Sequence, residues 1–556
     1  MKSLSPIILF VYNRPYQTMK VLEFLKKNLL SRKSDLIVFS DGSKKNDLDK
    51  KKVEIVRIIL KNLKGFKSKK IYFRKKNLGL FKNIMQGLDS IFKKYDKAII
   101  LEDDLVVNKH FLRYMNKALN IYANNSKVSC ISGWFCSHNK KINDTFFLRG
   151  SDIWGWATWK RSWKDFNRNP KSLIKIFKNN TNLIQKFNLN NSYNYYRLLE
   201  RREKKINQSW GILWNASNFL KNKYYLNFSN SLCVNIGQDQ SGSHDDGNMG
   251  YFNQKLSNRN INLKKQKIEE NLIGKKIKSE FFKKNFKTKI NIINKINPFK
   301  RVYNKIMYRK KIISYSGPFN NWEDAVEKSR GYNSKNILNE VLKNTLIAKN
   351  NLYFFERDGS LLRKNTISHN QIYLILEMIN KKKRGLNIID YGGSLGSMYF
   401  KFKDIINQKH KNTWNIIEQE SYVNIGKKNL DQDNLNFFKN IDTLKNKRID
   451  LVMLCGTLQY LDEPDNILKK IFALKPEIIL IEKLPIINNQ DSNKIYIQKR
   501  GENSYPSWIF TSSYVKFLFK KNNYNLYKNL KPEFEHNLFI KNEKINFCDF
   551  IYRKDQ

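Results

Sequence analysis

Two clusters in this chain combine residue types with spacing in a way that could do chemistry. The first is Glu102-Asp103-Asp104, three consecutive carboxylates directly after the apolar run Ala98-Ile-Ile-Leu101. Acids at the end of a buried strand are costly unless something positive binds there. Hard oxygen ligands select Mg²⁺ or Mn²⁺, which bridge one or two carboxylates to substrate phosphates. A solvated turn capping a following helix is the plain structural alternative. The second cluster is Asp390-Tyr-Gly-Gly-Ser-Leu-Gly396 after Leu386-Asn-Ile-Ile, followed 28 positions later by Glu418 at the end of another apolar run. Glycines in such a turn admit a ligand close to the backbone, and Glu418 is placed to accept ribose hydroxyls.

The elements that must position these groups follow from the hydrophobic periodicity. Strands are expected at Ile7–Tyr12, Leu36–Phe39, Lys70–Arg74 and Ala98–Leu101, alternating with helices at Thr18–Leu30, Lys52–Leu63 and Phe81–Lys93. Helical segments are expected from Trp322 to about Lys383. A second alternating series then runs through Leu386–Asp390, Trp414–Glu418, Asp450–Cys455 and Glu477–Glu482. Alternation of this kind predicts an α/β fold of two Rossmann-like domains, each with a mostly parallel sheet. The expected boundaries are a domain at 1–270, a linker at 271–313 and a second domain at 314–556.

Composition narrows the classes. In 556 residues there are 104 Lys+Arg against 49 Asp+Glu, a net charge of +55, yet 41% of residues are hydrophobic. That excludes a disordered chain. The basic charge is spread throughout as an Lys/Asn/Ile-rich background, without a nucleic-acid motif, so no specific nucleic acid is expected as partner. Residues 275–311 carry fourteen Lys/Arg and a single acid, Glu280. They read either as a solvated linker or as a helix lying on anionic lipid. Five scattered cysteines argue against a disulfide framework and for a reducing, cytoplasmic setting, with the inner membrane face as a peripheral location. No apolar run is long enough to span a membrane, and Pro6–Tyr12 reads as a buried strand rather than a signal peptide.

The first region resembles GT-A-type nucleotide-sugar glycosyltransferases. It is most similar to bacterial sugar transferases of the N-acetylglucosaminyltransferase I group. The resemblance rests on Phe10-Val-Tyr-Asn-Arg-Pro15, Phe39-Ser-Asp-Gly42, Arg74 with Asn77-Leu-Gly79, Leu101-Glu-Asp-Asp104, Gly155-Trp-Ala-Thr-Trp159 and Asn235–His244. It implies a metal held by Asp104, with His244 as a further ligand. It also implies a nucleotide-sugar donor held by Asp41, Arg74, Asn77, Glu102 and Asp103. Where related sequences carry an acid just before a Trp, this chain has Gln208 ahead of Trp210. That leaves Asp239 and Asp152 as candidate catalytic bases. Trp154, Trp156 and Trp159 read either as an acceptor-sugar platform or as core.

In the second region, Asp-x-Gly-Gly-x-x-Gly in place of the dinucleotide pattern favours S-adenosylmethionine (SAM). Residues 314–540 resemble a family of class I SAM-dependent methyltransferases associated with bacterial surface-polysaccharide genes. That resemblance rests on Gly317-Pro-Phe, Trp322-Glu-Asp-Ala325, Gly331-Tyr332, Asp390–Gly396, Cys455-Gly-Thr-Leu-Gln-Tyr-Leu461 and Tyr505-Pro-Ser-Trp508. It implies SAM contacts from Asp390, Gly392, Gly393, Gly396 and Glu418, with Cys455 and Gln459 lining the methionine side or the acceptor mouth. His369, His536 and Glu482 are available as bases for O-methylation.

The combined expectation is a bifunctional enzyme of surface-glycan biosynthesis acting on a glycan or lipid-linked glycan. Three alternatives stand beside it. They are an RNA-modifying methyltransferase with a basic accessory domain, a glycosyltransferase carrying an inactive SAM-binding domain, and a glycan-binding scaffold.

Overall fold

The computed structural model describes residues 4–150, 152–237, 256–257, 259, 261, 263–286, 313–329, 335–349, 354–357, 359–363, 370–406, 411–430, 434–487, 492–500, 503–530, 538–540 and 543–555. The chain divides into two compact units, 1–295 and 296–556.

Unit 1 begins with β1 (Ile7–Val11), α1 (Pro15–Lys26), β2 (Asp35–Ser40), α2 (Asp47–Asn62), β3 (Ser68–Phe73), α3 (Leu80–Phe92) and β4 (Lys97–Glu102). β1 is Ile-Ile-Leu-Phe-Val and buried throughout, as a parallel strand covered on both faces requires. Pro15 opens α1, where a missing N–H costs nothing, and the Asn46 side chain caps α2 by accepting from Asp49 N–H. The chain continues with β5 (Leu105–Val107), α4 (Phe111–Ile121), β6 (Val128–Ser132), β7 (Thr145–Leu148) and β8 (Trp156–Trp159). Five helices follow: α5 (Lys160–Lys164), α6 (Pro170–Phe177), α7 (Thr181–Phe187), α8 (Tyr195–Glu203) and α9 (Gly211–Leu220). β9 (Tyr224–Phe228), β10 (Cys233–Asn235) and α10 (Leu272–Phe286) complete the unit.

The main sheet has the order β3-β2-β1-β4-β8-β6-β9-β7, its first four strands parallel. Strand order reverses between β1 and β4, which opens a crevice at their carboxyl ends. A separate ribbon pairs β10 with β5, Asn235 opposite Leu105, and so carries the Asn235–Gly237 segment to the foot of the acid cluster.

α10 occupies part of what the sequence alone reads as linker. Ile277 and Phe282 are buried, Ile277 packs with Trp134, Phe135 and Phe146, and Lys278 is only 1% exposed. The apolar contacts and the ion pairs of Lys278 with Asp152 and of Glu280 with Lys140 dock this basic helix on unit 1 despite its surface charge.

Unit 2 contains β11 (Ile313–Phe319), a hairpin of β12 (Phe354–Arg357) and β13 (Ser360–Arg363), then β14 (Asn387–Tyr391), β15 (Thr413–Ile417), β16 (Leu435–Phe438), β17 (Leu451–Cys455) and β18 (Ile478–Ile487). β19 (Lys494–Arg500), β20 (Asn503–Thr511), β21 (Tyr524–Leu530), β22 (Leu538–Ile540) and β23 (Glu543–Lys554) follow. The parallel strands lie in the order β16-β15-β14-β17-β18, with β23 antiparallel beside β18 and β21 beyond it. This is the doubly wound arrangement, with its switch point between β14 and β17.

Three features depart from the expected pattern. The hairpin β12–β13 interrupts a region read as helical, β11, β19 and β20 extend the sheet, and β18 carries a register shift between Ile481 and Leu484. Among the described residues no helix is long and apolar enough to cross a membrane.

Candidate functional site

In unit 1 the strand ends at the switch point bring Tyr12–Arg14 against Glu102–Asp104. Asp103 Oδ2 accepts from the Tyr12 backbone N–H at 2.9 Å. Arg14 Nη1 stands 2.6 Å from Asp104 Oδ2 and 3.7 Å from Asp103 Oδ1. The Glu102 carboxylate makes no hydrogen bond or close ion pair among the described residues. Burial, then Asp104 and Asp103, push its pKa up to about 8. Burial raises Asp103 to about 6, Arg14 opposing it and Asp104 adding to it. Three acids with one guanidinium between them form a site short of positive charge.

The second polypeptide segment arrives through the β5–β10 ribbon. Ile236 N–H donates to Asp104 O at 2.8 Å. At Gly237 a Cβ would stand 2.3 Å from Asp104 Oδ2 and 2.7 Å from Arg14 Nη1, so only glycine fits over this pair.

The remaining expected donor-binding residues are joined by hydrogen bonds around the end of β2. The buried Asp41 carboxylate accepts from the backbone N–H groups of Gly42 (2.8 Å), Leu78 (2.9 Å) and Gly79 (3.0 Å) and from Asn77 Nδ2 (3.4 Å). Asn77 also donates to Gly42 O, and Arg74 Nε donates to Asn83 while its guanidinium lies over the Phe39 ring. These three residues tie the loop after β3 to the end of β2, with Gly42 pressed against the Lys76 backbone. They hold the loop that borders the crevice in place.

Asp49 does comparable work and was missed by sequence reasoning. Its carboxylate accepts from Tyr12 Oη (2.7 Å), Asn13 Nδ2 (2.6 Å) and Lys44 N–H (2.5 Å). An acid in the first turn of a helix gives no sign of such contacts.

Asp152 is ion-paired at 3.1 Å with the buried Lys278 of α10, so its carboxylate is not a free base in this arrangement. Asp239 and His244 lie outside the described residues. Trp156 and Trp159 are core side chains, Trp159 Nε1 donating to Leu119 O, and Trp154 lies edge-on to Trp134. The first two are thereby removed as an acceptor platform.

Among the described residues no group of three or more His, Cys, Asp and Glu is arranged to hold a metal. The donor chemistry nevertheless suits a hard cation of the kind held by one or two carboxylates plus substrate phosphates. Glu102 and Asp104 would hold it, Arg14 yielding Asp104.

In unit 2 the turn after β14 brings the expected cofactor residues together. Gly392 (φ +71°) donates its N–H to Ile417 O at 2.9 Å, and a Cβ there would collide with Thr457. A Cβ at Gly393 would lie 2.7 Å from Asp390 Cγ. Gly396 (φ +84°) starts the helix Ser397–Ile406 and packs on Ile416. Glu418 Oε1 accepts from Ser394 N–H at 3.0 Å and Oε2 from Gln419 N–H at 2.9 Å, which orients the carboxylate beside the turn. Asp390 is buried and accepts from Trp414 Nε1 at 3.1 Å. Burial, partly offset by Trp414 and reinforced by Glu418, lifts it to about 7.

Cys455, at the end of β17, is the register partner of Glu482, midway along β18. Gln371, from the helix Asn370–Lys382, donates Nε2 to Cys455 Sγ at 3.2 Å and to the buried Glu482 carboxylate. Burial raises the Cys455 thiol well above its usual range, and Glu482, Asp390 and Asp549 add to this. The β18 irregularity falls at Lys483 (φ +56°), whose N–H is held by Asp549, and bulges of this kind re-aim side chains near sites. Gln459 is buried, its Nε2 donating to Lys483 O at 3.4 Å. Gln371 and Asp549 were not anticipated, and His369 and His536 lie outside the described residues.

No protein-family model and no curated protein sequence matches the chain. Solved structures similar to it include a SAM-dependent methyltransferase from Methanosarcina mazei (15% identity, 31% of this chain and 92% of that one, TM-score 0.23). Another is a SAM-dependent methyltransferase from Clostridium acetobutylicum (11% identity, 34% and 93%, TM-score 0.24). A third is CalS10, an amino pentose methyltransferase from Micromonospora echinaspora involved in calicheamicin biosynthesis (8% identity, 34% and 91%, TM-score 0.23). Scores this low carry no functional argument, and the reading below rests on the sites themselves.

Proposed function

We propose that unit 2 is a SAM-dependent methyltransferase. The observation that carries this is the placement of Asp390, the Gly392–Gly396 turn and Glu418 at one switch point, where doubly wound sheets take their nucleosides. The Glu418 carboxylate, oriented beside the turn, suits the ribose of an adenosine. SAM would supply a methyl group on a sulfonium centre. Asp390, Glu482 and Asp549 line the neighbourhood of Cys455 with carboxylates complementary to a cation. Glu482 is the described residue best placed to take the proton of an acceptor hydroxyl, with Gln371 fixing it.

Unit 1 is read as a nucleotide-sugar transferase. Support comes from the charge-deficient Glu102–Asp104 cluster at its own switch point, next to the segment held by β10. Mn²⁺ or Mg²⁺ would neutralise a diphosphate leaving group there. The acceptor is then a glycan or lipid-linked glycan.

The methyl half is tested with methyl-labelled SAM, the full chain and a cell-envelope polysaccharide fraction alongside total RNA. Label in the polysaccharide, lost in Glu418→Ala, is the expected result. Label in RNA alone would favour an RNA-modifying enzyme. The sugar half is tested by nucleotide release from UDP-, GDP- and dTDP-sugars with Mn²⁺ or EDTA. Release that needs metal and disappears in Asp104→Ala is expected, and metal-indifferent release would count against it.

A further inference from the structure

The helix Ser397–Ile406 begins immediately after the glycine turn of unit 2. In nucleotide-binding sheets that helix start is where a pyrophosphate docks, drawn by free backbone N–H groups and the positive end of the helix dipole. Here the place is taken by the protein itself. The hairpin β12–β13 delivers Glu356, only 2% exposed, onto the first residue of the helix. One Glu356 carboxylate oxygen takes the Ser397 hydroxyl, and the other accepts from Gly359 N–H at 2.8 Å. Gly359 (φ +75°) supplies the positive-φ residue that closes the hairpin.

A second anion borders the same turn. Glu418 is held against Ser394, and Tyr422 feels both acids: burial raises its phenol to about 12, with Glu418 and Glu356 adding to the effect. A ligand phosphate entering along the turn would therefore meet two carboxylates, one of them bonded to the hydroxyl of the first helical residue. Like charges brought together away from bulk water disfavour one another.

We infer that Glu356 is a specificity residue: it fills the phosphate seat of the nucleoside site, so that unit 2 accepts phosphate-free adenosine compounds and rejects adenine nucleotides and dinucleotides. The inference rests on the reading of this site as a SAM site and adds the residue that excludes its competitors.

The test is displacement of radiolabelled SAM from the full chain by adenosine, ADP and NAD⁺, a readout blind to nucleotides bound elsewhere. In the wild type, adenosine should displace SAM while ADP and NAD⁺ do so only weakly. In Glu356→Gln, which keeps the size and an acceptor but removes the charge, ADP should gain about tenfold relative to adenosine. Glu356→Ala, which opens the seat, should do the same, with SAM affinity in both variants changed no more than about threefold. Wild-type displacement by ADP as effective as by adenosine would overturn the inference. So would an unchanged ADP-to-adenosine ratio in both variants. A wild-type chain that binds no SAM would instead overturn the underlying reading, and this inference with it.

Discussion

Arg14 Nη1 lies 2.6 Å from Asp104 Oδ2, joining the end of the first strand to the end of the fourth at the point where the strand order of unit 1 reverses. The pair exists because Gly237, more than 130 residues further along the chain, leaves space for it. Three segments distant in sequence thus meet at one ion pair.

Gly237→Ala follows from that geometry. Its added methyl would stand well inside van der Waals contact with both side chains and make them shift, although the backbone needs no unusual φ there. Nucleotide release from the donor sugar should fall by an order of magnitude, while thermal melting shows a stability change of about 1 kcal/mol or less. Unchanged turnover would show that the Arg14–Asp104 arrangement is irrelevant to the reaction.

The ion pair between Lys278 and Asp152 makes α10 part of unit 1. Lys278→Met should destabilise that unit by about 2–3 kcal/mol, because it leaves a partly buried carboxylate without its partner. Adding Asp152→Asn should recover part of the loss in a double-mutant cycle followed by denaturant unfolding. Additive effects would mean that the Lys278–Asp152 pair does not hold α10.

Asp390 sets a pH dependence. Burial first, with Glu418 adding and Trp414 opposing, raises its pKa to about 7, so the group is neutral below that value and a carboxylate above it. A ligand carrying a sulfonium charge favours the carboxylate form. SAM affinity should rise between about pH 6 and pH 8, and more steeply than that of S-adenosylhomocysteine, which lacks the sulfonium charge. Parallel pH profiles for the two ligands, measured by calorimetry, would remove Asp390 from the cation's surroundings.

The parallel strands and the two acid-bearing sites were legible because period and composition carry them. A short β-rich apolar run such as Ile7–Val11 favours a strand covered on both faces, and Glu102–Asp104 or Asp390–Gly396 mark where such runs stop. Hydrogen-bond direction is not written in the sequence. Nothing in Phe39-Ser-Asp-Gly42 announces that the Asp41 carboxylate accepts from Gly42, Leu78 and Gly79. α10 was hidden by its lysines, since Ile277 and Phe282 form a sparse apolar pattern and Lys278 is buried through a partner in another element. The hairpin bearing Glu356 did have a signal in Asp358-Gly359 between two apolar pairs, a dipeptide that favours a tight reversal. It was outweighed by the helical periodicity on either side.

The most direct measurement is a calorimetric titration of SAM into the full chain and its Glu418→Ala variant. One SAM per chain in the wild type, weakened about tenfold in the variant through the lost ribose hydrogen bonds, is the outcome this account requires. No binding by the wild type, or equal affinity in the two proteins, would contradict it.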